Sequence, residues 1–276
     1  MNRGRKTKTA SNSPSTYSGG ITIKSPQELD SLGRAGAIVG AVIDLLKAAV
    51  APGMTTLDLD RIAYKEITRQ GAKPTFMGYQ GFPASICTSV NEEIVHGIPG
   101  DRVLLEGDIV KVDVGATIEG FIGDAAVSLA VGEVTPEATD LMEHTRISLE
   151  VGIKAAQPGG RVGDIGAAVQ AYGESRGYGV VREFVGHGVG RFLHEDPQVP
   201  NYGQAGMGPL LRVGMCIAIE PMFNLGDWHT KILDDQWTVI TADGKLSAHF
   251  EHSIAITEDG PEILTVHSSA HRLPSE

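Results

Sequence analysis

The stretch GDIVKVDVGATIEGFIGDAAVSLAV, residues 107–131, decides the fold. DIVKVDV alternates apolar and polar positions as a half-buried strand does, and GFIGDAAVSLAV reads as a second strand. Ile118-Glu119-Gly120 between them has the residue types of a tight turn. The pair is predicted to form an antiparallel hairpin that sets Asp113 and Asp124 about opposite each other. Facing side chains on such a ladder have Cβ atoms ~4.5–5.5 Å apart. Two carboxylates that close repel, and one is driven to protonate unless a cation intervenes. A pair of divalent ions ~3.5–4 Å apart removes the repulsion.

Working outward, the pattern Gly, five residues, carboxylate occurs twice, as GDIVKVD (107–113) and as GMCIAIE (214–220). Pro52-Gly53 and Pro158-Gly159, Asp58 and Asp164, and Gly71 and Gly177 repeat at a nearly constant offset. Helices are predicted from Pro26, capped by Ser25 with Glu28 at the third position, to near Pro52; from about Thr55–Asp58 to Gly71; from Pro136 to before Pro158; and from about Val162 to Arg176. The chain therefore reads as two similar halves, about 25–130 and 131–266, each helix, helix, then strands ending in a carboxylate. One site at the seam, with groups from both halves, follows from that arrangement.

Composition narrows the class. The chain has 276 residues and a formal charge of −11. Residues 1–24 hold Arg3, Arg5, Lys6, Lys8 and Lys24 and no acid, so the acidic excess belongs to the body. An acidic body argues against a broad DNA- or RNA-binding face. Two cysteines, Cys87 and Cys216, exclude a disulfide framework and a CxxC zinc site. No run approaches the ~18 apolar residues of a membrane span, and residues 1–20 lack a signal-peptide core. Those twenty residues are polar and Ser/Thr-rich, which predicts a disordered basic tail before a single catalytic domain over 21–276. A cytoplasmic protein is expected, and nothing demands more than a monomer.

Glu220 closes the apolar run Met215–Ile219, and Glu251 precedes Ile254-Ala255-Ile256. A carboxylate in either place is costly if buried alone. His187 is flanked by Gly186 and Gly188, which allow close backbone approach around the ring. Two Asp, two Glu and one His suit hard or borderline divalent ions rather than Cu(I) or an iron–sulfur cluster.

These residues in this order resemble the pita-bread metallopeptidases, and within them the type I methionine aminopeptidases. The resemblance is carried by GFPASICTSVNEEIVHGIP (81–99), GDIVKVDVG (107–115), GDA (123–125), FVGHGVG (184–190), FLHEDPQVPNYG (192–203), AIEPM (218–222) and the Trp237–Ile256 stretch with HFEHSIAI. It spans about Ile21 to Val266. It implies an α+β fold, two pseudo-symmetric αβ halves around a curved antiparallel sheet. It implies that Asp113, Asp124, His187, Glu220 and Glu251 hold two divalent ions (Co, Mn, Fe(II) or Zn), with Asp124 and Glu251 bridging. By resemblance Glu220 is the general base, His96 contacts the substrate backbone and His194 hydrogen-bonds the scissile carbonyl. Tyr79, Phe82, Cys87, Leu193 and Trp237 map to the wall of a methionine pocket. The implied partners are nascent-chain N-termini, and the ribosome through the basic tail.

Gln80 stands where a histidine is common in the bacterial enzymes, and Phe76-Met77 replaces an expected Cys-Leu pair. His144, His229, His249, His252, His267 and His271 are given ordinary structural or surface roles. Two rival readings remain: an Xaa-Pro aminopeptidase or prolidase, which usually carries an extra N-terminal domain, and a non-catalytic peptide- or ribosome-binding module.

Overall fold

A computed structural model describes residues 19–267; the expectation of a basic tail over 1–20 lies almost wholly outside them. Four α-helices are described: α1 (Pro26–Ala49), α2 (Thr56–Arg69), α3 (Pro136–Ala155) and α4 (Val162–Glu174). Three of the four start at a Ser or Thr cap. Ser25 and Glu28 form a reciprocal capping box at α1, Thr55 and Asp58 another at α2, and Thr135 caps α3 ahead of Pro136.

The element order runs twice through helix, helix, then strands. The repeated glycines are geometrically equivalent. Gly53 and Gly159 have φ of 90° and 84°, and Gly71 and Gly177 of 77° and 82°. Such backbone favours glycine, because a Cβ is strained there. The repeat reaches the hydrogen bonds as well: the Gly53 N–H donates to the Leu104 carbonyl at 2.8 Å, and the Gly159 N–H to that of Leu211 at 2.9 Å.

The strand pairs named between elements are all antiparallel. In one sheet the Ile109–Ile118 strand pairs with Phe121–Ala130 and with Ile86–Val90. In another the order is Gly260–Ile263, His252–Thr257, Cys216–Ile219, Gly186–Gly188, Glu195–Val199. The two sheets meet at Ala126 and Glu251, whose backbones exchange hydrogen bonds at 2.8 and 3.4 Å. Beside that seam Ser253 Oγ donates to the Asp124 carbonyl at 2.7 Å. Paired helices in each half with antiparallel sheets joined at this seam match the α+β arrangement expected of the pita-bread fold.

Two details differ from the sequence reading. The hairpin turn is Glu119-Gly120 alone, both at positive φ (52° and 79°) as a two-residue type I′ turn requires. Asp113 therefore pairs with Ala126, and Asp124 with Gly115. The two aspartates are diagonal neighbours on one face rather than opposite each other. Asp113 also lies in the middle of a ten-residue strand, not at its end, whereas Glu220 does follow the end of Cys216–Ile219.

Helix α1 lies across the hairpin at backbone contact. A Cβ on Gly123 would sit 2.6 Å from the Ala35 carbonyl carbon, and one on Gly36 2.1 Å from the Leu264 carbonyl oxygen. Leu32, Val39, Val42, Ile43 and Leu46 seal the remaining face of α1 into the core. No helix among the described residues is long and apolar enough to cross a membrane.

Candidate active site

The structure brings all twelve sequence-predicted site residues to one cavity of about 200 Å³. One wall is polar: Asp113, Asp124, His187, Glu220 and Glu251. The other is largely apolar: Tyr79, Phe82, Cys87, Leu193 and Trp237, with His96 and His194 between.

The polar wall draws on both halves. The 109–118/121–130 hairpin supplies Asp113 and Asp124; the 186–188, 216–219 and 252–257 strands place His187, Glu220 and Glu251. Ligand-capable atoms of Asp124, His187 and Glu251 lie within 4.8 Å of one another, and all three residues are buried. His187 Nδ1 is 2.9 Å from the Gly188 carbonyl, which can only accept, so the proton is on Nδ1. The Nε2 lone pair is left facing Asp124 Oδ2 at 3.7 Å and Glu220 Oε1 at 3.6 Å. A backbone carbonyl that fixes the tautomer in this way is the usual support of a metal-binding imidazole.

The electrostatics are those of a site built for cations. Burial pushes Asp113 up to about 7. Burial and the charge of Asp113 carry Asp124 well above the carboxylate range. Glu220 and Glu251 rise for the same reasons, burial first and then the neighbouring carboxylates. Asp113 Oδ1, Asp124 Oδ1 and Glu251 Oε1 are inaccessible and have no hydrogen-bond partner among the described residues. Buried polar atoms are normally satisfied, so three orphaned carboxylate oxygens around one imidazole fit divalent metal ions.

The apolar wall is rigid and aromatic. Phe82 and Trp237 meet edge to face at 5.1 Å between centroids. Cys87 is paired with Asp113 across the ladder; burial, then Asp113, pushes its thiol well above the usual range, so it packs as a small hydrophobe. His96 has φ 61°, unusual for a side chain with a Cβ. Its neighbour Gly97 approaches so closely that a Cβ there would be 2.1 Å from the Thr88 carbonyl oxygen, which holds the kink against the Ile86–Val90 strand. Burial and the neighbouring His194 push His96 down to about 4, so its ring is neutral. His194 shares a 2.6 Å hydrogen bond with the Tyr79 hydroxyl and lies 4.3 Å, ring to ring, from His187.

Phe76, Gln80, Val95, Phe184 and Val185 also line the cavity. Phe184 stands edge-on to His96 at 5.6 Å. Val95 and Phe184 have no separate signal in the sequence beyond adjacency to His96 and to the His187 loop.

The profile of metallopeptidase family M24 matches residues 30–258. The chain belongs to metallopeptidase family M24. Within the family it sides with the methionine aminopeptidases. It is 52% identical to methionine aminopeptidase 1 of Bacillus subtilis, across 89% of this chain and 99% of that one. It superposes on the crystal structure of methionine aminopeptidase from Thermotoga maritima with a TM-score of 0.88 at 47% identity, over 89% and 99% of the two chains. The prolidase of Pyrococcus furiosus, at 21% identity and a TM-score of 0.74 over 89% of this chain and 66% of that one, shares the M24 fold.

Proposed function

We propose that this M24 chain removes the N-terminal methionine from peptides and nascent proteins by hydrolysing the first peptide bond, favouring a small second residue. The observation that carries this is the juxtaposition, across one cavity, of an orphaned carboxylate–imidazole cluster and an aromatic-walled pocket.

In this reading Asp113, Asp124, His187, Glu220 and Glu251 would hold two divalent ions, and Co, Mn, Fe(II) or Zn all suit the donors. When bound, such ions polarise the scissile carbonyl and lower the pKa of the attacking water. Glu220 accepts the water proton and passes it to the leaving amine. The Tyr79 hydroxyl, donating to His194 Nδ1, leaves the proton on Nε2, and that N–H hydrogen-bonds the scissile carbonyl oxygen. His96, neutral and fixed by its backbone, binds the substrate main chain. The substrate's free α-amino group seats beside the carboxylates, which restricts cleavage to one residue. Phe82, Trp237, Tyr79, Leu193 and Cys87 enclose the methionine side chain, whose thioether gains from aromatic edges.

Turnover of Met-Ala-Ser, Leu-Ala-Ser and Met-Pro by metal-free protein with added Mn, Co or Fe(II) tests the reading. Metal-dependent release of methionine is expected, with roughly tenfold or greater preference over leucine. Preferred cleavage of Met-Pro would favour the prolidase alternative. No turnover with any ion would favour the binding module.

The same reading makes 21–276 one catalytic domain that works as a cytoplasmic monomer on nascent chains. Arg3, Arg5, Lys6 and Lys8 add electrostatic attraction to ribosomal RNA. Deleting residues 2–20 is expected to weaken co-sedimentation with ribosomes at low salt; unchanged co-sedimentation would remove the tail from the account.

A further inference from the structure

His249, which the sequence reading leaves to packing, lies on the Ser247–His249 strand and is 1% exposed. Its backbone is clamped: Ser128 Oγ donates to its carbonyl at 2.9 Å, and its N–H donates to the same Oγ at 3.0 Å. It also pairs in register with Met222, two residues after Glu220. The ring is thus held from behind, and neither of its nitrogens has a hydrogen-bond partner among the described residues. A neutral imidazole has one N–H to give and one lone pair to fill.

What the ring faces is the candidate base. His249 Nε2 is 4.0 Å from Glu220 Oε2, while Glu220 Oε1 is 3.6 Å from His187 Nε2. The two oxygens of one carboxylate therefore have different neighbours. We propose that His249 is a positioning residue for the metal centre: its Nε2–H, 4.0 Å from Glu220 Oε2 here, closes on that oxygen and donates to it when metal is bound, holding the carboxylate with Oε1 turned toward His187. This deepens the methionine aminopeptidase reading and rests on Glu220 being a metal ligand. A group that hydrogen-bonds the spare atom of a ligand orients it, and losing that group costs ~10–100-fold in metal affinity. It also gives a partner to one of the two unmatched nitrogens of an otherwise costly buried ring.

Two variants separate the roles. His249→Phe keeps a ring of similar bulk and loses the donor; His249→Gln keeps an N–H donor. Mn(II) affinity of the metal-free proteins is measured by titration calorimetry, and the visible spectrum is recorded with Co(II) bound. His249→Phe is expected to weaken Mn(II) binding by ~10–100-fold and to shift the Co(II) bands, and His249→Gln to return affinity to within about threefold. Wild-type affinity and an unchanged spectrum in His249→Phe would overturn the proposal. Should His249→Phe fail to fold, wild-type protein with ¹⁵N-labelled histidine decides. Adding Zn(II) should bring up a hydrogen-bonded imidazole N–H signal that His249→Gln lacks, and absence of that signal overturns the proposal. Glu220→Ala with wild-type Mn(II) affinity would overturn the ligand set itself, and this proposal with it.

Discussion

His187→Ala is expected to remove tight metal binding and peptidase activity together, the latter by at least about three orders of magnitude, or ~4 kcal/mol of transition-state stabilisation. The reason is geometric. His187 is the one imidazole in the cluster, its Nδ1 is committed to the Gly188 carbonyl, and its Nε2 faces Asp124 and Glu220 at 3.7 and 3.6 Å. Alanine leaves carboxylates that repel one another with one donor fewer to hold a cation between them. The imidazole's hydrogen bonds are to the backbone of Gly188 and of Leu193, in its own strand and the loop that follows, so the circular dichroism of metal-free protein should change little. Metal content after dialysis and turnover of Met-Ala-Ser are the two readouts. Full activity in the variant would dismantle the ligand set.

The second large effect is on stability. Lys24→Met is expected to cost about 3–5 kcal/mol, because it strips the counter-charge from a buried carboxylate. Lys24 Nζ is 2.8 Å from Glu195 Oε2, with side-chain exposures of 6% and 3%. Glu195 Oε2 also accepts from Thr22 Oγ1 at 2.6 Å, and its Oε1 from the backbone of Arg191 and Phe192 at 3.0 and 3.2 Å. The pair ties the segment before α1 to the loop that carries Leu193 and His194 into the cavity. Burial raises the Glu195 pKa, but the hydrogen bonds from Lys24 and Thr22 and the charge of Lys24 outweigh it and hold the group below its ordinary value. A depressed carboxylate pKa contributes stability above the unfolded value of ~4.3, and that contribution is lost as the pH falls through the folded value. Without Lys24 burial is less opposed, the folded pKa rises, and acid unfolding should begin at higher pH. Urea unfolding from pH 3 to 7 measures both effects. Adding Glu195→Gln to Lys24→Met should recover part of the loss, since an amide needs no counter-charge. A loss under about 1 kcal/mol would mean the pair behaves like an exposed one.

Much of this was legible because the sequence marks it locally. The caps at Ser25, Thr55 and Thr135 are chemical signals confined to four residues, and the helices begin at them. The paired glycines could be matched by spacing because each supplies a positive φ that few other residues tolerate. The four carboxylate candidates could be named because a carboxylate inside an apolar run is anomalous wherever it occurs, and His187 because glycines flank it in a stretch that carries the family resemblance. The Asp113–Asp124 register was misread because counting Ile118 into the turn shifts every cross-strand partner by one position, and that shift moves a residue to the other face.

His249 shows the opposite case. As one of nine histidines its sequence context says nothing about its neighbours; only the clamp on Ser128 and the pairing with Met222 bring it to Glu220. Lys24 and Glu195 are likewise 171 residues apart, and no local pattern marks them as a pair. The sequence by itself determined the elements, the repeat, the family resemblance and the donor types, since these are properties of short windows and of spacing. The tertiary structure decided which lone pairs face one another, which oxygens are left without partners and which charges are buried together. Those depend on distances between segments far apart in the chain, and they take a value only once the core has closed around them.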